Sequence, residues 1–117
     1  PFKQHLLTKL YGCNAAKAAD IDGDGDVDIF ASVFLPYIRK ETPGSESVES
    51  LIWLEQVKPG RFERYSLEKF TCFHPTLDLG DFDGDGDLDL VVGNMTMARK
   101  KGATLPYWAV LWRNQGR

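Results

Sequence analysis

The sequence predicts an all-β fold assembled from two copies of one four-stranded antiparallel unit. Three observations carry this. An Asp-rich nonapeptide occurs twice, as Asp20-Ile-Asp22-Gly-Asp24-Gly25-Asp26-Val-Asp28 and, 61 residues later, as Asp81-Phe-Asp83-Gly-Asp85-Gly86-Asp87-Leu-Asp89. A β-branched and aromatic run follows each copy. No segment holds a 3.6-residue apolar period, so helix signals are poor.

The elements follow in order. Phe2-Lys-Gln-His-Leu-Leu7 resembles Phe62-Glu-Arg-Tyr-Ser-Leu67 and reads as a strand at the same phase of the repeat. Short strands around 17–19 and 76–79 lead into the acidic loops. Val27–Leu35 and Leu88–Val92 leave them as apolar strands. Ser50–Gln56 and Trp108–Trp112 are short, largely buried strands. Aligning Leu51-Ile-Trp-Leu-Glu-Gln56 with Val110-Leu-Trp-Arg-Asn-Gln115 makes Trp53 and Trp112 equivalent. Arg61–Leu67 alternates, with Phe62, Arg64 and Ser66 on one side and Glu63, Tyr65 and Leu67 on the other. Residues 1–60 and 61–117 thus form two repeats. Pro36–Glu49 and Met95–Pro106 are polar connections at the surface.

Composition sets limits. The chain has 117 residues, 43% hydrophobic and 26% charged, enough for one domain with a modest core. No apolar run approaches the ~20 residues needed to span a bilayer. The chain opens at Pro1 with no signal peptide, so it is expected to be processed or part of something longer. Its net charge of −3 misleads: ten of the seventeen acids sit in the two loops, and the remainder of the chain carries +7. Arg99-Lys-Lys101 is read as a solvated loop, because three cations without interleaved aromatics do not argue for nucleic acid. Cys13 and Cys72 precede the two loops at similar phases. Equivalent positions in neighbouring repeats lie too far apart for the ~5.5 Å of a disulfide, so both are expected as free, partly buried thiols.

Each nonapeptide places five carboxylates in nine residues, a density that repels itself unless a cation is present. Calcium takes six to eight hard oxygens. Positions 1, 3 and 5 are Asp20, Asp22 and Asp24, and again Asp81, Asp83 and Asp85. Position 6 is Gly25 or Gly86, where the chain turns sharply. Position 7 offers a carbonyl, from Asp26 or Asp87, and position 9 is Asp28 or Asp89. A helix-flanked calcium loop closes instead with an acid at position 12. Here those positions are Ala31 and Val92, and strands follow, so the loops are expected between two strands. Two bound divalent cations would bring the net charge to about +1. Magnesium, which keeps more water and fewer protein ligands, is the weaker rival.

These residues resemble the FG-GAP/VCBS repeat of integrin-like β-propellers and of many bacterial secreted proteins. The likeness is carried by Leu79-Gly-Asp-Phe-Asp-Gly-Asp-Gly-Asp-Leu-Asp-Leu-Val-Val-Gly-Asn94, by the matching loop at 20–28, and by Leu51–Gln56 with Pro59-Gly-Arg-Phe62. It implies that each repeat is one four-stranded propeller blade with calcium between its first and second strands, held by Asp20, Asp22, Asp24, Asp26, Asp28, Asp81, Asp83, Asp85, Asp87 and Asp89. It also implies an extracytoplasmic location. Two blades do not close a ring of about four to eight. One end offers a strand, Phe2–Leu7, and the other lacks one.

The leading functional expectation is a non-catalytic, calcium-stabilised interaction module, for adhesion or assembly. Its partner is a protein or further copies of itself, joined head-to-tail into a ring or filament. An alternative is a carbohydrate- or ligand-binding module, or an accessory part of a larger extracytoplasmic enzyme or redox complex. Trp53 and Trp112 read as core, and Trp108 as the one surface platform. No catalytic residue is proposed: His5 and His74 are the only histidines, His74 before Pro75 reads as a turn residue, and the loop carboxylates are committed to metal.

Overall fold

The computed structural model describes residues 1–38, 41–95 and 109–116. Seven strands and one short 3₁₀ turn, Ser45–Ser47, are present among them, with no α-helix. The strands are β1 (Cys13–Ala19), β2 (Asp28–Val33), β3 (Glu49–Lys58), β4 (Arg61–Lys69), β5 (Thr76–Gly80), β6 (Asp89–Gly93) and β7 (Ala109–Trp112). They form two antiparallel sheets, ordered β1-β2-β3-β4 and β5-β6-β7. The chain crosses between the sheets over residues 70–75, so Arg61–Lys69 pairs with β3 in the first sheet.

The alternation of apolar residues decides which face each sheet buries. On one face of the first sheet lie Phe30, Leu51 and Trp53, packed against Leu77, Leu90 and Val92 of the second. On its other face Ala31, Ile52 and Leu54 form a separate cluster, covered by Leu10, Ile29 and Phe62. The 61–67 alternation appears as expected: Phe62 joins this second cluster, and Leu67 packs towards the second sheet.

Register corrects the repeat alignment. Ile29 pairs with Leu54, and Leu90, its equivalent 61 residues on, pairs with Trp112. Trp112 therefore stands where Leu54 stands, and Trp53 corresponds to Leu111. A one-residue slip exchanges the two faces of a strand. Hence Trp53 faces the second sheet, Trp112 faces the first, and both pack at the interface between the sheets.

Two expected strands differ. The second sheet has three strands among the described residues, not four. Phe2–Leu7 belongs to no strand and is exposed throughout. The loop residues Arg99–Lys101, Pro106 and Trp108 lie outside the described residues.

The crossover is tightly held. Leu35 N–H donates to the Cys72 carbonyl at 2.7 Å, His74 N–H to Val33 at 3.0 Å, and Met95 N–H to Phe73 at 2.9 Å. His74, expected in a turn, is 1% exposed. Its Nδ1 lies 2.7 Å from Asn94 Oδ1 and its Nε2 contacts the Glu68 carboxylate, so it bridges the two sheets. Cys72 is fully buried, whereas Cys13 is exposed; both are free.

Candidate metal centre

Both Asp-rich segments are loops between the first and second strands of a sheet. Residues 20–27 join β1 to β2, and 81–88 join β5 to β6. Backbone N–H groups organise their carboxylates. Asp20 accepts from Gly23 at 2.9 Å and Gly25 at 3.0 Å, and Asp81 accepts from Gly84 at 2.7 Å and Gly86 at 3.0 Å. Asp22 and Asp83 each accept from the N–H two residues on at 3.2 Å. Asp24 and Asp85 do the same at 2.9 Å. Gly25 and Gly86 both sit at φ 96°, a left-handed backbone that a side chain resists. Two sequences with the same spacing therefore fold into the same curl.

The curl brings carboxylates together. Oxygens of Asp20, Asp22 and Asp24 lie within 4.8 Å of one another, and so do those of Asp81, Asp83 and Asp89. Two ligands of one calcium ion lie at most about 5 Å apart, given metal–oxygen distances of roughly 2.3–2.6 Å. The spacing therefore fits a hard divalent cation. Without one, each like-charge pair costs about 1 kcal/mol in water and ~4 kcal/mol near a protein surface. The two groups are not identical: the first includes position 5, the second position 9. Asp26, Asp28, Asp85 and Asp87 fall outside these groups of three.

Position 9 has a structural task of its own. Asp28 and Asp89 are each 1% exposed. Asp28 accepts from Ile21 N–H at 3.4 Å and Gln56 N–H at 2.8 Å; Asp89 accepts from Phe82 N–H at 3.0 Å and Asn114 N–H at 2.8 Å. Each carboxylate thus ties its loop to the end of the third strand.

Sequence reasoning missed the amides that complete this tie. Gln56 Nε2 donates to the Val27 carbonyl at 3.1 Å, and Asn114 Nδ2 to that of Leu88 at 3.3 Å. Their side-chain oxygens accept from Gly60 and Gly116 N–H. The signal was present as a repeated amide, but aligning Gln56 with Gln115 placed it one residue off. Arg113 was also missed. It pairs with Asp83 and holds that carboxyl below the usual range, mainly through the hydrogen bond.

Stacked antiparallel sheets, each with an acidic loop between its first two strands, define a repeat protein built around candidate cation sites. Residues 75–102 match the model of the FG-GAP repeat family. The matched span contains β5, the second acidic loop and β6. Comparison with curated proteins and with solved structures finds no significant match. FG-GAP is a non-catalytic structural repeat of β-propeller-type interaction modules, and its members often bind calcium.

Proposed function

We propose that this chain is a calcium-binding, propeller-type interaction module that works outside the cytoplasm and performs no catalysis. The observation that carries this reading is the pair of carboxylate triads with calcium-compatible spacing, one in each sheet. Asp20, Asp22, Asp24, Asp81, Asp83 and Asp89 supply the first oxygens. Asp26 and Asp87 add loop carbonyls, and Asp28, with Asp85, completes the two sets. Calcium neutralises the loops and fixes the turns between strands, so its binding free energy adds to folding free energy. Extracellular modules bind calcium at about 10⁻⁴–10⁻³ M, which suits such exposed sites. Typical FG-GAP repeats are extracellular, and no helix among the described residues is long and apolar enough to cross a membrane.

Isothermal titration with calcium tests the reading. The wild-type chain takes up two ions, and the Asp20→Asn and Asp81→Asn variants each take up one. A chain that binds no calcium contradicts it.

A further inference from the structure

We propose that Asn114 positions both acidic loops at once, so that calcium held in either loop tightens the binding of calcium in the other. The proposal rests on the calcium reading and names how its two sites communicate.

Hydrogen bonds run without a break from one carboxylate group to the other. Asp89 belongs to the second group, with Asp81 and Asp83. Its Oδ1 accepts from Asn114 N–H at 2.8 Å, and its Oδ2 accepts from Phe82 N–H at 3.0 Å, inside the second loop. Asn114 Nδ2 donates to the Leu88 carbonyl of the second loop at 3.3 Å and to the Ile21 carbonyl of the first at 3.1 Å. Ile21 stands between Asp20 and Asp22, two of the three carboxylates of the first group. One side-chain nitrogen therefore holds the backbone of both loops, next to a carboxylate of each group.

The amide is fixed at its other end too. Asn114 Oδ1 accepts from Gly116 N–H at 3.0 Å, which leaves Nδ2 turned towards the loops. Gln56 is its counterpart in the first sheet, since its N–H donates to Asp28 as that of Asn114 donates to Asp89. Gln56 Nε2 donates to Val27, within its own loop. Asn114 reaches across the sheets as well.

Neither end of this path moves alone. Asp89 is buried, and Ile21 packs in the core that the sheets share, with Leu77 and Leu90. A buried acceptor that loses its donor is costly. Without a cation the carboxylates of one group repel each other and favour an opened loop. Opening the second loop displaces Leu88 and Asp89, and with them Asn114, so the Ile21 carbonyl loses its donor and the first loop its support. A loop closed on calcium has already ordered the amide that the other loop needs. The second ion then has less left to order and binds more tightly. Direct repulsion between two bound cations opposes this effect but is screened by salt. What passes along the path is occupancy. The first loop's affinity, measured with the second filled, does not depend on how tightly the second holds its ion.

The test uses the full chain, calcium as the probe, and NMR, which reads the loops separately at the Gly25 and Gly86 amides. In Asp81→Asn, whose second loop is disabled, the first loop is expected to bind roughly fivefold or more weakly than in the wild-type chain. Asp20→Asn is expected to weaken the second loop by the same factor, because coupling is reciprocal. In an Asn114→Ala background each factor is expected to fall to about one, a change that lost stability alone would not produce. A second measurement needs no change at Asn114: in Asp20→Asn, calcium is expected to slow hydrogen exchange at the Ile21 N–H. Equal first-loop affinity in Asp81→Asn and the wild-type chain overturns the proposal. So does coupling that survives Asn114→Ala, or an Ile21 amide that calcium leaves unchanged in Asp20→Asn. Loops that fill independently remove the coupling and leave the calcium reading standing; loops that never fill remove both.

Discussion

The side-chain amide of Asn114 donates to the backbone carbonyl of Ile21 at 3.1 Å. One residue closes the second acidic loop, the other lies inside the first, so this bond ties the two candidate metal sites together across the sheets. The same nitrogen reaches Leu88 at 3.3 Å. Asn114→Ala removes both donors and leaves the Ile21 and Leu88 carbonyls without them. The expected cost is about 1–3 kcal/mol. Urea denaturation checks this, with the wild-type chain as reference.

Arg113 pairs with the Asp83 carboxylate, so a cation bound in the second loop would have to compete with it for that carboxylate. The pairing lowers the Asp83 pKa in the folded state, so its stabilising effect is present above the ordinary carboxyl value of 3.8 and is lost as pH falls through the lowered one. In Arg113→Gln the Asp83 carboxyl titrates closer to its ordinary value, and a positive charge beside the second loop is gone. Calcium affinity of that loop is expected to rise severalfold, read by titration calorimetry, with the first loop unchanged. NMR titration of the calcium-free protein checks the carboxyl.

Gly86→Ala isolates backbone strain. A Cβ at Gly86 meets nothing within 4 Å, so no clash confounds the result. Its φ of 96° remains costly for alanine, by ~1–2 kcal/mol. Thermal melts are expected to shift down for this variant and equally for Gly25→Ala.

The two thiols should differ in reactivity. Burial pushes the Cys72 thiol up, partly offset by the Ser50 hydroxyl 3.5 Å from its sulfur. Cys13 is exposed. A thiol reagent is expected to label one cysteine rapidly in the native chain and both in denaturant.

Much of this architecture was legible in the residues. Five Asp with Gly25 or Gly86 at the sharp turn identified each loop, and apolar residues at position 12 placed it between strands. Local features of that kind lie within a few positions of one another. What escaped depended on distance and on register. Trp53 and Trp112 share a motif yet occupy opposite faces, because strand periodicity of two turns a one-residue offset into a change of side. His74 looked like a turn residue beside Pro75; its partners, Glu68 and Asn94, are brought to it only when two sheets meet. Arg113 reaches a carboxylate 30 positions away. Phe2–Leu7 has the pattern of a strand, and pattern alone does not supply the neighbour that makes it one.

Calcium is proposed to hold this fold, and a thermal melt in chelator set against one in excess calcium decides it. A ligand at about 100 times its Kd stabilises by ~2.7 kcal/mol per site, and a domain of this size gains roughly 4–8 °C per kcal/mol. The melting temperature is expected to be higher by about 10 °C or more in calcium, with a smaller gain in Asp20→Asn and in Asp81→Asn. Coincident melts in calcium and chelator would contradict it.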